Sequence, residues 1–349
     1  MKRDNSNLQA AKAAKNDEFY TQLTDIENEL IHYRNQLNGK KVYCNCDDPN
    51  TSNFWLYFML QFNMLNLQEL TATCYREGSK GIKWKIRRVP GIENIRDLRL
   101  PEGQVYIEKT ELEGDGDFRS PECIEELENC DVVITNPPFS LFREFVDMVL
   151  VQHNKDLLII GNKNAITYKE VFPLLKDNRL WIGYSCPANF VTPNGEITKQ
   201  LAGLTRWFST LDTTIRHEDL IANVFYKKYY DNPEEYPKYD NYDAINVDKT
   251  SDIPIDYYGV MGVPITYLGK HNPDQFEIIG QGQGNLYRQL TPNGLNKKFV
   301  EDYYKSGQKG SIKEDHPVLG YYDSTGKPVI PYMRIAIKRK YKEDGSLNQ

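Results

Sequence analysis

Cysteine is sparse in this chain, six in 349 residues. Cys44 and Cys46 form Cys-x-Cys, while Cys74, Cys123, Cys130 and Cys186 are scattered. No pair has the Cys-x-x-Cys spacing of a zinc site, so core thiols in a reducing compartment are expected, and no metal. No apolar run approaches the length of a membrane span. The charged start Met1-Lys2-Arg3-Asp4 lacks the apolar stretch of a signal peptide. These absences predict a chain with no membrane contact, working in the cytoplasm of a bacterial or phage-infected cell. Internal repeats and low-complexity tracts are missing too. Positive charge is in deficit: 43 Lys and Arg against 49 Asp and Glu give a net charge of −6. A generally basic nucleic-acid binder is thereby excluded, though local charge matters more than the total. Arg76, Lys80, Lys83, Lys85, Arg87 and Arg88 cluster with only Glu77 opposing. Arg334, Lys338, Arg339 and Lys340 form a second cluster. Each could track phosphates, or simply lie on a solvated loop and a solvated terminal strand.

The length suffices for one or two domains with a large core. Residues 1–14 are polar and Ala-rich and predict a mobile arm. Residues 24–38 predict a helix: Thr24-x-x-Glu27 reads as a capping box, Ile26, Leu30, Tyr33 and Leu37 share a face, and Gly39 ends it. Strands are expected at Val42–Cys46, Leu70–Tyr75, Val105–Glu108, Asp131–Thr135 and Leu157–Gly161. Helical patterns cover Asn53–Asn66, Leu141–Val151 and Tyr168–Lys176. Strands alternating with helices indicate βαβ units and a mostly parallel sheet. After about residue 185 helical periodicity fades. Eight tyrosines lie between Tyr226 and Tyr258. Val260–Leu268, Phe276–Ile279 and Ile335–Ile337 read as strands among loops, so an irregular β-containing region is expected there.

Asn136-Pro137-Pro138-Phe139 is the sharpest signal. It follows the β-branched run Val132-Val133-Ile134-Thr135 and precedes a helix. Two prolines end a strand abruptly, and the residue before a proline is pushed to extended geometry. The result is a stiff turn at the carboxyl end of a strand, where open α/β sheets bind ligands. Such a turn suits one chemistry. An aryl amine is a weak nucleophile because its lone pair is delocalised into the ring. Acceptors on its hydrogens, the Asn136 side-chain oxygen and the Pro137 carbonyl, would draw the nitrogen toward tetrahedral geometry and localise that pair. Phe139 would stack on the base, an interaction worth about 1–3 kcal/mol. The base must leave its duplex to arrive there. Pro-Pro with an Asn is also a general strand terminator.

Tyr43-Cys44-Asn45-Cys46-Asp47-Asp48-Pro49 ends the first expected βαβ strand, where a nucleotide-like cofactor meets a doubly wound sheet. The Gly-rich loop usual there is missing. Two carboxylates stand in its place, suited to a cation and to ribose hydroxyls rather than to phosphates. Alone, it is an Asp-Asp-Pro turn. Glu113-Gly114-Asp115-Gly116-Asp117-Phe118 could offer Asp117 to an adenine amine and Phe118 to the ring, or be an ordinary Gly-Asp turn. Lys15-Asn16-Asp17-Glu18-Phe19-Tyr20-Thr21 is a polar-aromatic lead into the first helix. Gly280-Gln281-Gly282-Gln283-Gly284 lacks a P-loop Lys and reads as a flexible loop.

Together these motifs resemble the adenine-specific DNA methyltransferases, most closely the EcoRI methyltransferase-like family. Tyr239-Asp240-Asn241-Tyr242-Asp243-Ala244-Ile245-Asn246-Val247 and Gly262-Val263-Pro264-Ile265-Thr266 are similar to that family as well, so the resemblance covers most of the chain. It implies a Rossmann-like α/β methyltransferase sheet, S-adenosylmethionine as cofactor and methyl donor, and transfer to the 6-amino group of adenine in double-stranded DNA. It implies that Phe19, Tyr20 and Thr21 line the methionine side of the cofactor. Asp47, Asp48 and Pro49 would form the turn beneath it, and Asp117 and Phe118 would contact its adenine. Asn136, Pro137, Pro138 and Phe139 would be catalytic. The acid of the wider methyltransferase pattern is missing at the end of the second strand, Thr73-Cys74-Tyr75-Arg76, so ribose recognition would fall to Asp47 or Asp48. The expected organisation is an arm (1–14), a catalytic domain (15–185) and a target-recognition region (186–349). Two other readings stay open: a methyltransferase acting on RNA or a protein glutamine amide, and a catalytically silent DNA-binding protein.

Overall fold

The computed structural model describes residues 20–88, 107–191, 197–198, 201–226, 235–342 and 344–348. The expected arm, the lead-in from Lys15 to Phe19 and the first residues of the strand expected at Val105 lie outside them. The described residues divide into two compact units: one within 20–171 and 180–213, the other within 172–179 and 214–348.

In the first of these units, β1 (Tyr20–Thr21) leads to α1 (Leu23–Leu30), followed by β2 (Lys41–Cys44), α2 (Asn53–Gln61), β3 (Glu69–Cys74), β4 (Ile82–Arg87) and β5 (Ile107–Glu111). Then come α3 (Pro121–Asn129), β6 (Val132–Thr135), α4 (Phe142–Val146) and β7 (Asp156–Asn162). The unit closes with β8 (Trp181–Ile182), β9 (Phe190–Val191), β10 (Ile197–Thr198) and β11 (Thr205–Ser209). Eight strands form one sheet in the order β5-β4-β3-β2-β6-β7-β11-β8. The centre, β3-β2-β6-β7, is parallel, and both edges are antiparallel. Val132, Val133 and Ile134 and the run Leu157–Ile160 are buried, as strands covered on both faces require. This is the expected Rossmann-like architecture. Chain order reverses at β2, with β3 on one side and β6 on the other, so a crevice opens at their carboxyl ends.

Several local expectations change. The first helix starts at Leu23 after Gln22, which makes no side-chain cap, so Thr24 falls inside the first turn and the capping box does not form. Its continuation tightens into a 3₁₀ turn at Ile31–Tyr33, and Gly39 closes it at φ +74°. The basic stretch after Arg76 is no loop: Ile82–Arg87 is a strand paired with β3. Pro121–Asn129 is a helix, capped by Ser120, whose Oγ accepts from Cys123 N at 3.4 Å. The helix after the Asn136–Phe139 turn widens to π geometry over Asp147–Gln152. Nor does the chain divide at residue 185. Thr205–Ser209 returns antiparallel onto β7, so residues 180–213 complete the first sheet.

The other unit contains α5 (Phe172–Lys176) and a four-stranded sheet. Its strands are β12 (Ala244–Asn246), β13 (Val260–Pro264), β14 (Phe276–Gln281) and β17 (Arg334–Arg339), after the short pair β15 (Tyr321–Tyr322) and β16 (Pro328–Val329). The order is β12-β13-β17-β14. The Gly-Gln-Gly run is not a flexible loop at its start. Gly280 and Gln281 belong to β14, with a bulge between Ile278 and Gly280 that shifts the register on β17.

Candidate active site

The carboxyl ends of β2, β3 and β6 enclose a cavity of about 480 Å³ in the first-described unit. It is lined by Thr21, by Asn45–Asp48 with Ser52–Phe54, by Cys74–Arg76, by Gly116–Arg119, and by Asn136, Pro138 and Leu141. Three motifs far apart in sequence, 45–48, 116–118 and 136–138, thus meet at one crevice.

On the β6 side, Thr135 ends the strand fully buried and Asn136 turns into the cavity. Pro138 has extended backbone (φ −55°, ψ 124°), and Phe139–Leu141 form a 3₁₀ turn. Pro137 is buried and does not line the cavity. Phe139 is half-buried against the main core cluster and is also off the cavity wall.

On the β2 side, the two acids behave differently. Asp47 is buried. Ser52 Oγ donates to its Oδ1 at 2.6 Å, and Thr135 Oγ1 donates to its Oδ2. Burial, opposed by these two hydrogen bonds, pushes its pKa up to about 6. Ser52 Oγ also accepts from Phe54 N (3.0 Å) and Trp55 N (3.4 Å), capping α2. Asp48 folds onto its own turn: its Oδ1 accepts from Asn50 N and Asn50 Nδ2 at 2.9 and 2.8 Å, and Arg76 Nη2 stands 3.9 Å from its Oδ2. Pro49 is buried behind the turn, off the cavity wall.

On the β3 side, Gly116 adopts φ +82°, and any Cβ there would strike the Cys74 carbonyl. That glycine lets the 115–118 turn lie against the end of β3. Asp117 is gripped by Arg119, with N and Nε on Oδ1 (2.9 and 2.8 Å) and Nη2 on Oδ2 (2.5 Å). The Arg119 bonds hold the Asp117 carboxyl below its usual range. A carboxylate has about four acceptor sites, so one remains for a ligand. Phe118 is buried, edge-on to Phe145 at 5.2 Å.

Of the amino-terminal motif, Phe19 lies outside the described residues. Tyr20 and Thr21 form β1, which pairs with β9, Thr21 opposite Phe190. Asn53 Nδ2 donates to the Thr21 carbonyl at 2.7 Å. The β9 approach is held by acids of α1. Asp25 accepts from Ala188 N and Asn189 N at 3.0 and 2.9 Å. Glu29 accepts from Tyr184 N, Ser185 N and Ser185 Oγ at 2.8, 2.6 and 2.7 Å. Burial raises the Glu29 pKa against those bonds.

One residue that sequence reasoning passed over stands out. Asn45 is 1% exposed, lines the cavity, and neither atom of its amide has a hydrogen-bond partner among the described residues. Thr21 Oγ1, also on the wall and buried, has none either. Leaving a buried polar group unsatisfied costs about 1–3 kcal/mol, so the Asn45 amide and the Thr21 hydroxyl, both lining the cavity, point to a polar ligand. No sequence signal marked Asn45, which sits between two cysteines.

The basic clusters are engaged internally. Lys85 is buried, with Nζ 2.5 Å from Glu126 and 3.2 Å from Glu69. Lys83 and Arg87 bind the same two acids at 2.9 and 2.8 Å, and Arg88 Nε donates to the Leu67 carbonyl. In the C-terminal cluster, Arg334 binds Asn246 and Asp248, both at 2.9 Å, and Arg339 donates to the Pro254 carbonyl. Neither cluster is a free row of phosphate contacts. Among the described residues no group of three or more His, Cys, Asp or Glu is arranged to hold a metal. Among those residues, too, no helix is long and apolar enough to cross a membrane.

Comparison with known proteins was consistent. The family described as adenine-specific methyltransferase EcoRI matches residues 7–340. The chain is 46% identical to the type II methyltransferase M.EcoRI of Escherichia coli, over 83% of this chain and 93% of that protein. It is 39% identical to the type II methyltransferase M.MgeORF184P of Mycoplasma genitalium, over 77% and 84%. It is 37% identical to the type II methyltransferase M.MpnI of Mycoplasma pneumoniae, over 77% and 83%. No solved structure matches.

Proposed function

From a chain that belongs to the EcoRI family of adenine-specific methyltransferases, and is a DNA adenine methyltransferase of restriction–modification type, we infer how its site works. The cavity of about 480 Å³ takes S-adenosylmethionine, and the turn at Asn136 presents the target adenine of duplex DNA to it. The observation that carries this reading is the meeting of Asn136 with the unpartnered Asn45 amide in one cavity. When bound, the cofactor supplies an electrophilic methyl group on a sulfonium.

The wall residues suit that ligand end by end. Asp117 and Phe118 stand with Cys74–Arg76 on the β3 side, and they hold the nucleoside. The reacting centre must face Asn136 on β6. The amino-acid end therefore goes to Asn45 and Thr21, whose donor and acceptors match an ammonium beside a carboxylate. The end of β3 itself carries no acid for the ribose, Arg76 standing there instead. With Asp47 engaged by Ser52 and Thr135, the hydroxyls are left to Asp48 or to backbone. The family resemblance assigns Phe19 and Tyr20 to the methionine side as well, and Pro49 backs the turn.

Asn136 Oδ1 and the Pro137 carbonyl accept the two amine hydrogens of the flipped base, and Phe139 stacks on it. Asn136 titrates nothing: it orients and polarises. Positioning of this kind supplies the rate in an in-line displacement. The unit built on β12–β17 reads the target sequence. With duplex DNA as its substrate, we propose that the protein works in the cytoplasm of a bacterial or phage-infected cell.

Two measurements test this. Labelled S-adenosylmethionine with unmethylated duplex DNA should yield labelled 6-methyladenine after nucleoside analysis. Label in 4-methylcytosine, or only in RNA or protein acceptors, would refute the acceptor assignment. Asn45→Ala should weaken S-adenosylhomocysteine by about 10- to 100-fold, the worth of one or two charge-assisted hydrogen bonds. It should leave 5′-methylthioadenosine, which lacks the amino-acid end, nearly unchanged. Equal loss for both ligands would move Asn45 to the nucleoside.

A further inference from the structure

We infer that Asp47 is a positioning residue, a clasp whose carboxylate fastens the catalytic turn to the cofactor turn rather than binding the cofactor. Both of its oxygens are engaged within the protein, by Ser52 and by Thr135. Thr135 is the residue immediately before Asn136. The backbone shows why a clasp is needed there. The ladder between β2 and β6 pairs Val42 with Val132 and Tyr43 with Val133, and then stops. On its other side β6 stays paired through Thr135, opposite Ile159 of β7. Beyond Val133, therefore, no backbone ladder fixes the catalytic strand to the strand that carries the cofactor turn. The Thr135–Asp47 bond spans that gap. Asp47 is itself fixed at two further points: its N–H donates to the Thr73 carbonyl at 3.1 Å, and Ser52 ties it to the start of α2. A continuous path thus runs from the α2 N-terminus through Ser52, Asp47 and Thr135 to Asn136. Each link is buried, with Ser52 5%, Asp47 7% and Thr135 0% exposed. Such a path sets the distance between the bound methyl donor and the group that holds the acceptor amine. A displacement of about 1 Å at a reacting centre can cost on the order of 100-fold in rate.

The inference rests on the reading of Asn136 as the holder of the amine, and its test separates the two. Thr135→Val removes one hydroxyl at constant shape, and Asp47→Ala removes the clasp. Asp47→Asn keeps an acceptor for Ser52 and gains a donor for Thr135 Oγ1. The measurements are kcat, KM for DNA, S-adenosylhomocysteine affinity by calorimetry, and the Tm of the ligand-free protein. Thr135→Val and Asp47→Ala should each lower kcat by about 10- to 100-fold while the calorimetric Kd moves by less than about threefold. The double variant should be no slower than the slower single one, because both remove one interaction. Asp47→Asn should recover most of the kcat that Ala loses. An Asn variant that keeps kcat at saturation but loses S-adenosylhomocysteine affinity about tenfold would make the carboxylate a cofactor ligand and overturn the clasp. Losses of kcat that merely track the folded fraction would overturn it as well. If Asn136→Ala turned over like the parent protein, the reading beneath the inference would fail, whatever the Asp47 variants did.

Discussion

Asn136→Ala should lower kcat for methyl transfer by about 100- to 1,000-fold, the loss typical when one preorganised hydrogen-bonding group is removed from a reacting centre. S-adenosylhomocysteine should bind the variant nearly as before. The asymmetry follows from position. Asn136 follows β6, whereas the groups assigned to the cofactor stand on Thr21, Asn45 and the 116–118 turn. The truncated side chain cannot be replaced by a neighbour, because Pro137 and Pro138 carry no side-chain acceptor and their rings fix the backbone. Asn136→Asp provides the control. It keeps an acceptor at the same place and adds a negative charge beside a nitrogen that becomes positive as it is methylated. Measurable transfer by Asp with almost none by Ala would identify acceptance of the amine hydrogens as the contribution. Equal activity in all three proteins would leave the turn as a strand terminator and no more.

The central strands could be read from the chain because burial on both faces demands continuous apolar runs, and Val132-Val133-Ile134 and Leu157–Ile160 are such runs. The turn at Asn136–Phe139 could be read because two prolines leave few conformations. What escaped was information held by distant partners. Ile82-Lys83-Trp84-Lys85-Ile86-Arg87 does alternate apolar and charged residues with period two, the pattern of a strand. Its charges drew the eye to phosphates because the acids that neutralise them are elsewhere: Glu69 one strand away and Glu126 on a helix that was not foreseen. The return of Thr205–Ser209 onto β7 is equally non-local, which is why a change of composition near residue 185 resembled a boundary. Within the site, Asp47 and Asp48 look alike in sequence. Only the packing separates the buried Asp47 from the half-exposed Asp48, and only the cavity reveals the buried asparagine two residues before Asp47 on its wall.

The edge of the sheet should fail most sharply at Glu126. Glu126→Leu is expected to cost about 3–5 kcal/mol, as when one partner of a buried ion pair is removed. That is a large share of the roughly 5–15 kcal/mol that holds a typical fold together. Lys85 is buried between Glu126 and Glu69, and Lys83 leans on the same Glu126 carboxylate. Burial works to raise the Glu126 pKa, but the bonds from Lys85 and Lys83 outweigh it and hold the carboxyl below its usual range. A depressed acid stabilises the fold at pH above its unfolded value, and the contribution is lost as pH falls through the folded value. Unfolding by urea should therefore show Glu126→Leu far below the parent at neutral pH, with the gap closing on acidification. The double change Lys85→Met with Glu126→Leu should recover most of the loss, since it removes the stranded charge as well as its partner, and Lys83 can reach water. The consequence extends to the cavity. The Ser120 that caps α3 also donates its N–H to the Asp117 carbonyl at 2.8 Å, so the helix carrying Glu126 holds the turn assigned to the cofactor nucleoside. A Glu126→Leu protein as stable as its parent would mean that Glu69 alone satisfies Lys85, and that packing rather than charge fastens α3 to the β4 edge.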